Sequence, residues 1–171
     1  MIPLFFVLAT AAAPASQPVC VRMEPVAGFE SWGHSAGSTL TIGSEATLAL
    51  KPATGVSFKP ALARPAKDGT FGGYFPIDIA QAGLYRIALS QSAWMDVVQK
   101  GARLKPAGHA HGPACSGIAK IVAFDLQPGR YWVQLSDAKE ATIGVMLVKD
   151  DMVHLDDRVL NQPKYRKPAS R

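Results

Sequence analysis

Alternation of apolar and polar positions organises this chain. Phe75, Ile77 and Ile79 share one face of an extended segment while Asp78 takes the other; after Gly83, the residues Tyr85, Ile87 and Leu89 repeat the pattern with Arg86 and Ser90 opposite. The same succession returns later. Val122, Phe124 and Leu126 align against Asp125, and after Pro128-Gly129 the residues Tyr131, Val133 and Leu135 align against Trp132 and Gln134. Gly83, Tyr85, Leu89 and Ser90 map onto Gly129, Tyr131, Leu135 and Ser136 at one constant offset, with a one-residue slip confined to the turn. Strands that bury a single face predict antiparallel sheets packed face to face rather than a parallel α/β sheet.

The remaining strands follow from the same period. Ser38–Ile42 and Ala46–Leu50 flank Gly43-Ser44-Glu45 as a hairpin or corner, and Val56–Lys59 is a short candidate before Pro60. A loop covers 61–70. Ala93–Lys100 forms a strand ending in a turn at Gly101, and Ala141–Val148 closes the series with Ile143, Val145 and Leu147 on one face. A helical period is confined to a short turn at Met152–Leu160. The expected fold is all-β, an antiparallel β-sandwich or jelly roll of about eight strands. It spans residues 38–149, preceded by an irregular segment at 16–37 that Phe29 and Trp32 anchor, and followed by a tail at 150–171.

Composition agrees with that fold. At 171 residues the chain suits one domain, and 15 glycines with 13 prolines favour turns over long helices. The uncharged apolar run from Ile2 to Ala13, ending in Ala13-Pro14-Ala15, has the form of a signal peptide cleaved after Ala15, so residues 1–15 are expected to direct export to the periplasm or medium. No other run approaches transmembrane length. In an oxidising compartment Cys20 and Cys115 are expected to form a disulfide, the alternative being a thiolate serving a metal. The net charge of +5 is partly local, because Lys164, Arg166, Lys167 and Arg171 crowd the C-terminus. No basic face interleaved with aromatic residues accompanies them, which argues against a nucleic-acid partner.

A strand with Asp78, then Ala82-Gly83-Leu84-Tyr85, Trp94-Met95-Asp96-Val97-Val98, a Gly turn, a long loop and Pro128-Gly129-Arg130-Tyr131-Trp132 make a succession that resembles the bacterial pre-peptidase C-terminal domain over residues 71–149. That resemblance implies an exported, non-catalytic module that assists secretion or substrate contact. No catalytic domain precedes it in this sequence, and residues 38–70 would extend the sandwich instead.

Chemistry concentrates in Gly108-His109-Ala110-His111-Gly112-Pro113-Ala114-Cys115. Histidines two apart on extended chain point the same way and could hold iron, zinc or copper, with a third ligand from His34, His154, Asp96 or a glutamate. The spacing is similar to the first cupin motif, although Cys115 stands where that motif has Glu. The Trp-Met-Asp, His-x-His-Gly-Pro and Cys-Ser-Gly pattern also resembles small exported chains labelled homogentisate 1,2-dioxygenase, which implies a non-haem iron dioxygenase. The competing reading of His109 and His111 is a polar loop held by the neighbouring disulfide.

Two further groups suit binding. Trp132, Arg86 and Gln134 project away from the core stripe, as a sugar-stacking platform requires, and Trp94 with Asp96 sits at a strand start. Asp78 and Asp125 occupy equivalent places in a duplicated unit, which sets them far apart rather than as a catalytic pair. Ser90 and Ser116 lack a Gly-x-Ser-x-Gly setting, and His154 beside Asp156 and Asp157 reads as a solvated cluster. The chain therefore reads as an exported β-sandwich that binds an envelope protein or polysaccharide without chemistry of its own, with the metal-dependent dioxygenase as the alternative.

Overall fold

The computed structural model describes Cys20 and residues 26–150. The expected signal peptide at 1–15, the basic C-terminal residues and the cluster around His154 lie outside the described residues. Ten strands follow in order: β1 (Glu45–Ala49), β2 (Lys51–Pro52), β3 (Phe71–Ile79), β4 (Gly83–Leu89), β5 (Trp94–Gln99), β6 (Ala102–Arg103), β7 (Gly108–Ala110), β8 (Lys120–Leu126), β9 (Gly129–Ala138) and β10 (Thr142–Lys149). They form two antiparallel five-stranded sheets. The first runs β1-β10-β4-β8-β7 and the second β2-β3-β9-β5-β6. The fold is the expected β-sandwich.

The duplicated units set the topology. β3 pairs with β9 in the second sheet and β4 pairs with β8 in the first, so each copy is an arch whose turn crosses from one sheet to the other. The two arches are thus related by a pseudo-twofold that exchanges the sheets. Each arch is tied by its tyrosine, since the Tyr85 hydroxyl donates to the Gln81 carbonyl at 2.8 Å and the Tyr131 hydroxyl to the Gln127 carbonyl at 2.9 Å. Both rings are buried, and hydrogen-bonding the hydroxyl to the turn removes the cost of burying it. Between the sheets Ile77, Ile87, Leu89, Val122, Phe124, Val133 and Leu135 meet in one core with the predicted parity.

Two local expectations change. The segment 38–42 is not a strand: Ile42 makes an isolated bridge to Leu147, and Glu45–Ala49 takes the ladder on β10. The outer edge of β1 is occupied in turn, as Ala36 N donates to Glu45 O and Thr47 N to Gly37 O. Residues 56–59 likewise leave the sheet, because their stretch is drawn over the outside of the second sheet. β10 is buried on both faces.

That second burial is the work of the N-terminal segment. Phe29 and Trp32 pack with Ala88, Ile118, Met146 and Val148 in a separate apolar cluster on the outer face of the first sheet. Arg86 pins the segment through a hydrogen bond from Nη2 to Ala27 O at 3.0 Å and a guanidinium 5.1 Å from the Phe29 ring centre. Gly28 has φ +83°, and a Cβ there would collide with the Arg86 guanidinium. The Cys20–Cys115 disulfide fastens the start of the same segment.

Candidate functional site

The outer face of the second sheet is covered differently, by polar contacts. Residues 56–67 cross it as a strap whose three successive carbonyls each accept from a different strand. Tyr74 Oη of β3 donates to Lys59 O at 2.8 Å, Gln134 Nε2 of β9 donates to Pro60 O at 2.9 Å, and the Arg103 guanidinium of β6 donates to Ala61 O. The far end is held by Asp137, which accepts from Arg64 Nη2 at 2.7 Å and from Lys67 N at 2.9 Å. Gln134 is almost completely buried beneath the strap, and its Oε1 has no hydrogen-bond partner among the described residues.

The strap separates two aromatic groups. On one side Tyr74 stacks on Trp132, ring centres 4.5 Å apart and 4° from parallel. Burial raises the Tyr74 hydroxyl above its ordinary pKa. On the other side Trp94 opens β5 and remains 42% exposed, one of the two large apolar side chains so exposed among the described residues. Its neighbours are charged. The Arg64 guanidinium lies 4.7 Å from the ring centre and the Lys120 ammonium 5.6 Å, both within cation–π range. Trp94 Nε1 donates to Asp96 Oδ1 at 3.3 Å, and Asp96 Oδ2 lies 3.2 Å from Arg103 Nε in an ion pair without an aligned hydrogen bond.

Lys120 reaches this place because it occupies a core-facing position at the first residue of β8, in line with Val122, Phe124 and Leu126. The stem runs across the open end of the sandwich, and Nζ donates to Ala93 O at 3.2 Å. Burial lowers its pKa, and the nearby Asp96 charge works in the opposite direction. No carboxylate among the described residues lies within ion-pair distance of its ammonium. An ammonium carries three donors, so this cation retains bonding capacity.

The structure sorts the remaining candidates. Arg86 and Trp132 do not form a platform: they are equivalent positions of the two arches, and the pseudo-twofold puts them on outer faces of opposite sheets. Asp78 and Asp125 are separated in the same way, Asp78 opposite Arg130 and Asp125 opposite Leu84. Trp94 and Asp96 do come together, as do Trp132 and Gln134 with the strap.

His109 lies on the edge strand β7 opposite Val122, and His111 follows it with Nδ1 3.2 Å from Ala119 O. Since a carbonyl only accepts, Nδ1 is the donor in that contact. Cys115 is committed to its disulfide. Among the described residues no group of three or more His, Cys, Asp or Glu comes together as a metal site would require. Ser116 Oγ donates to Pro113 O and accepts from Ile118 N, while Ser90 Oγ accepts from Gly144 N, so both hydroxyls secure backbone turns.

Sequence reasoning passed over Arg64, Lys120 and Tyr74. For Lys120 the signal was present, because a charged residue on the apolar parity of a strand must leave the core at the strand's end. Arg64 carried none, lying in a loop whose course depends on the contacts of Asp137. No protein-family profile, curated protein or solved structure matches this chain.

Proposed function

We propose that this protein is an exported, non-catalytic binding module whose ligand is a glycan docking on the outer face of the second sheet beside Trp94. One observation carries the reading: an indole stands exposed at the start of a rigid strand, flanked by cations and fixed at Nε1 by Asp96. Flat aromatic surface beside polar groups is what a pyranose ring and its hydroxyls require. The Cys20–Cys115 disulfide favours an oxidising, exported location. The resemblance of residues 71–149 to the pre-peptidase C-terminal domain points to the same class of module.

A glycan array probed with wild-type protein and with Trp94→Ala tests this reading. Binding in the wild type and its loss in the variant is the expected result; no binding anywhere on the array overturns it. A stoichiometric metal that disappears in a His109→Ala, His111→Ala double variant, with turnover of a catechol-like ring, would instead establish the dioxygenase reading.

A further inference from the structure

We infer that the Trp94 site selects an acidic sugar, a uronic-acid-containing oligosaccharide whose carboxylate is taken by Lys120 and Arg64 while its ring lies against the exposed part of the indole. This rests on the glycan-binding reading and adds the charge of the ligand.

The chemistry follows from what the two cations lack. Arg64 spends one terminal nitrogen on Asp137, which leaves further guanidinium donors directed elsewhere. Lys120 has one carbonyl partner and no carboxylate within ion-pair distance among the described residues, although burial penalises its charge. A neutral sugar would leave that penalty offset only by the Asp96 charge, the Ala93 carbonyl and the indole. A carboxylate beside Nζ would offset it and add charge-assisted hydrogen bonds at a site partly shielded from water. Arg103 cannot take the same role, because it is committed to Asp96 and Ala61. Both cations are held near the indole, Arg64 by the anchored strap and Lys120 by its contact with Ala93, so little ordering remains to be done on binding.

The test uses the full chain, isothermal titration and tryptophan fluorescence, with oligogalacturonate, the neutral galacto-oligosaccharide of equal length and inorganic sulfate as probes. Oligogalacturonate is expected to bind at least about tenfold more tightly than the neutral oligomer at low salt. That preference should shrink as salt is raised. Lys120→Gln should remove roughly tenfold or more of the acidic affinity and change neutral binding by a much smaller factor, and Lys120→Arg should restore part of the acidic affinity. Equal affinity for both oligomers, with Lys120→Gln without effect, overturns the acidic preference and leaves the glycan reading standing. Inorganic sulfate binding as tightly as oligogalacturonate overturns the sugar contact and reduces the site to an ion site. Failure of every oligosaccharide overturns both. Circular dichroism of each variant confirms the fold before titration, and Trp94→Ala, altered at an exposed side chain, serves as the second variant.

Discussion

The two outer faces of this sandwich are each crossed by an irregular segment, yet the segments are held by opposite kinds of force. On the first sheet the N-terminal segment drives Phe29 and Trp32 into an apolar cluster with Ala88, Ile118, Met146 and Val148. On the second sheet the strap at 56–67 is held chiefly by side-chain donors on its carbonyls and by Asp137. Burial of apolar area is non-directional, so it closes a face without leaving side chains aimed outward. Hydrogen bonds are directional, and fixing a strap by them holds charged groups such as Arg64 at defined places on the surface. The apolar face is therefore built as closed scaffold, and the polar face is the one that presents charged side chains at fixed positions.

The largest way to test the contrast is to release the apolar segment. Replacing Cys20 and Cys115 by serine opens a loop spanning 95 residues in sequence. Chain entropy then predicts a loss of about 4–5 kcal/mol in denaturant unfolding. Phe29→Ala should cost about 3–5 kcal/mol by the same measurement, since the ring is only 1% exposed. The two changes act on one segment, so their combination should fall short of the sum. Strict additivity would mean that the disulfide stabilises the body of the fold independently of this cover.

Much of this architecture was legible beforehand. Parity alone places Ile77, Tyr85, Phe124 and Tyr131 in the core, whereas Arg86 and Trp132, which read from sequence as one platform, are equivalent positions of the duplicated unit and lie in different sheets. An equivalence in sequence becomes a separation in space once each copy arches between sheets, and that crossing was the missing step. The strap was not legible, because its path depends on carbonyls of Lys59, Pro60 and Ala61 meeting donors from three strands. Backbone acceptors are the same at every position, so no residue identity announces them. The segment 38–42 was misread for a related reason: its alternation suits a strand, but β1 holds the edge of β10 that it would need.

On the polar face the expected effects are smaller. Gln134→Ala removes the donor to Pro60 O and should cost about 1–3 kcal/mol in unfolding free energy. Its more telling consequence is local, because the strap should exchange its amide hydrogens faster while the core strands keep their protection. Uniform acceleration across β4, β8 and β9 would show instead that the strap and the sandwich unfold together.

The smallest effect should come from the ion pair at the margin of this face. Arg130 donates to Asp78 through Nε at 2.8 Å and Nη2 at 2.7 Å, and these hydrogen bonds hold the Asp78 carboxyl below its ordinary pKa against an opposing effect of desolvation, with the guanidinium charge adding a smaller lowering. A carboxylate whose folded pKa is depressed stabilises the fold above its unfolded value, and that contribution disappears as pH falls through the folded pKa. Here both partners are open to water, so salt and solvent screen the pair. Arg130→Gln should accordingly leave the unfolding midpoint at neutral pH within experimental scatter while the Asp78 titration, followed by NMR, moves up towards the ordinary aspartate range. An unmoved titration would mean that the pair does not persist in solution. A large fall in stability would mean that Arg130 supports the stacked Tyr74 and Trp132 on the neighbouring rows, making this margin part of the rigid surface rather than its solvated rim.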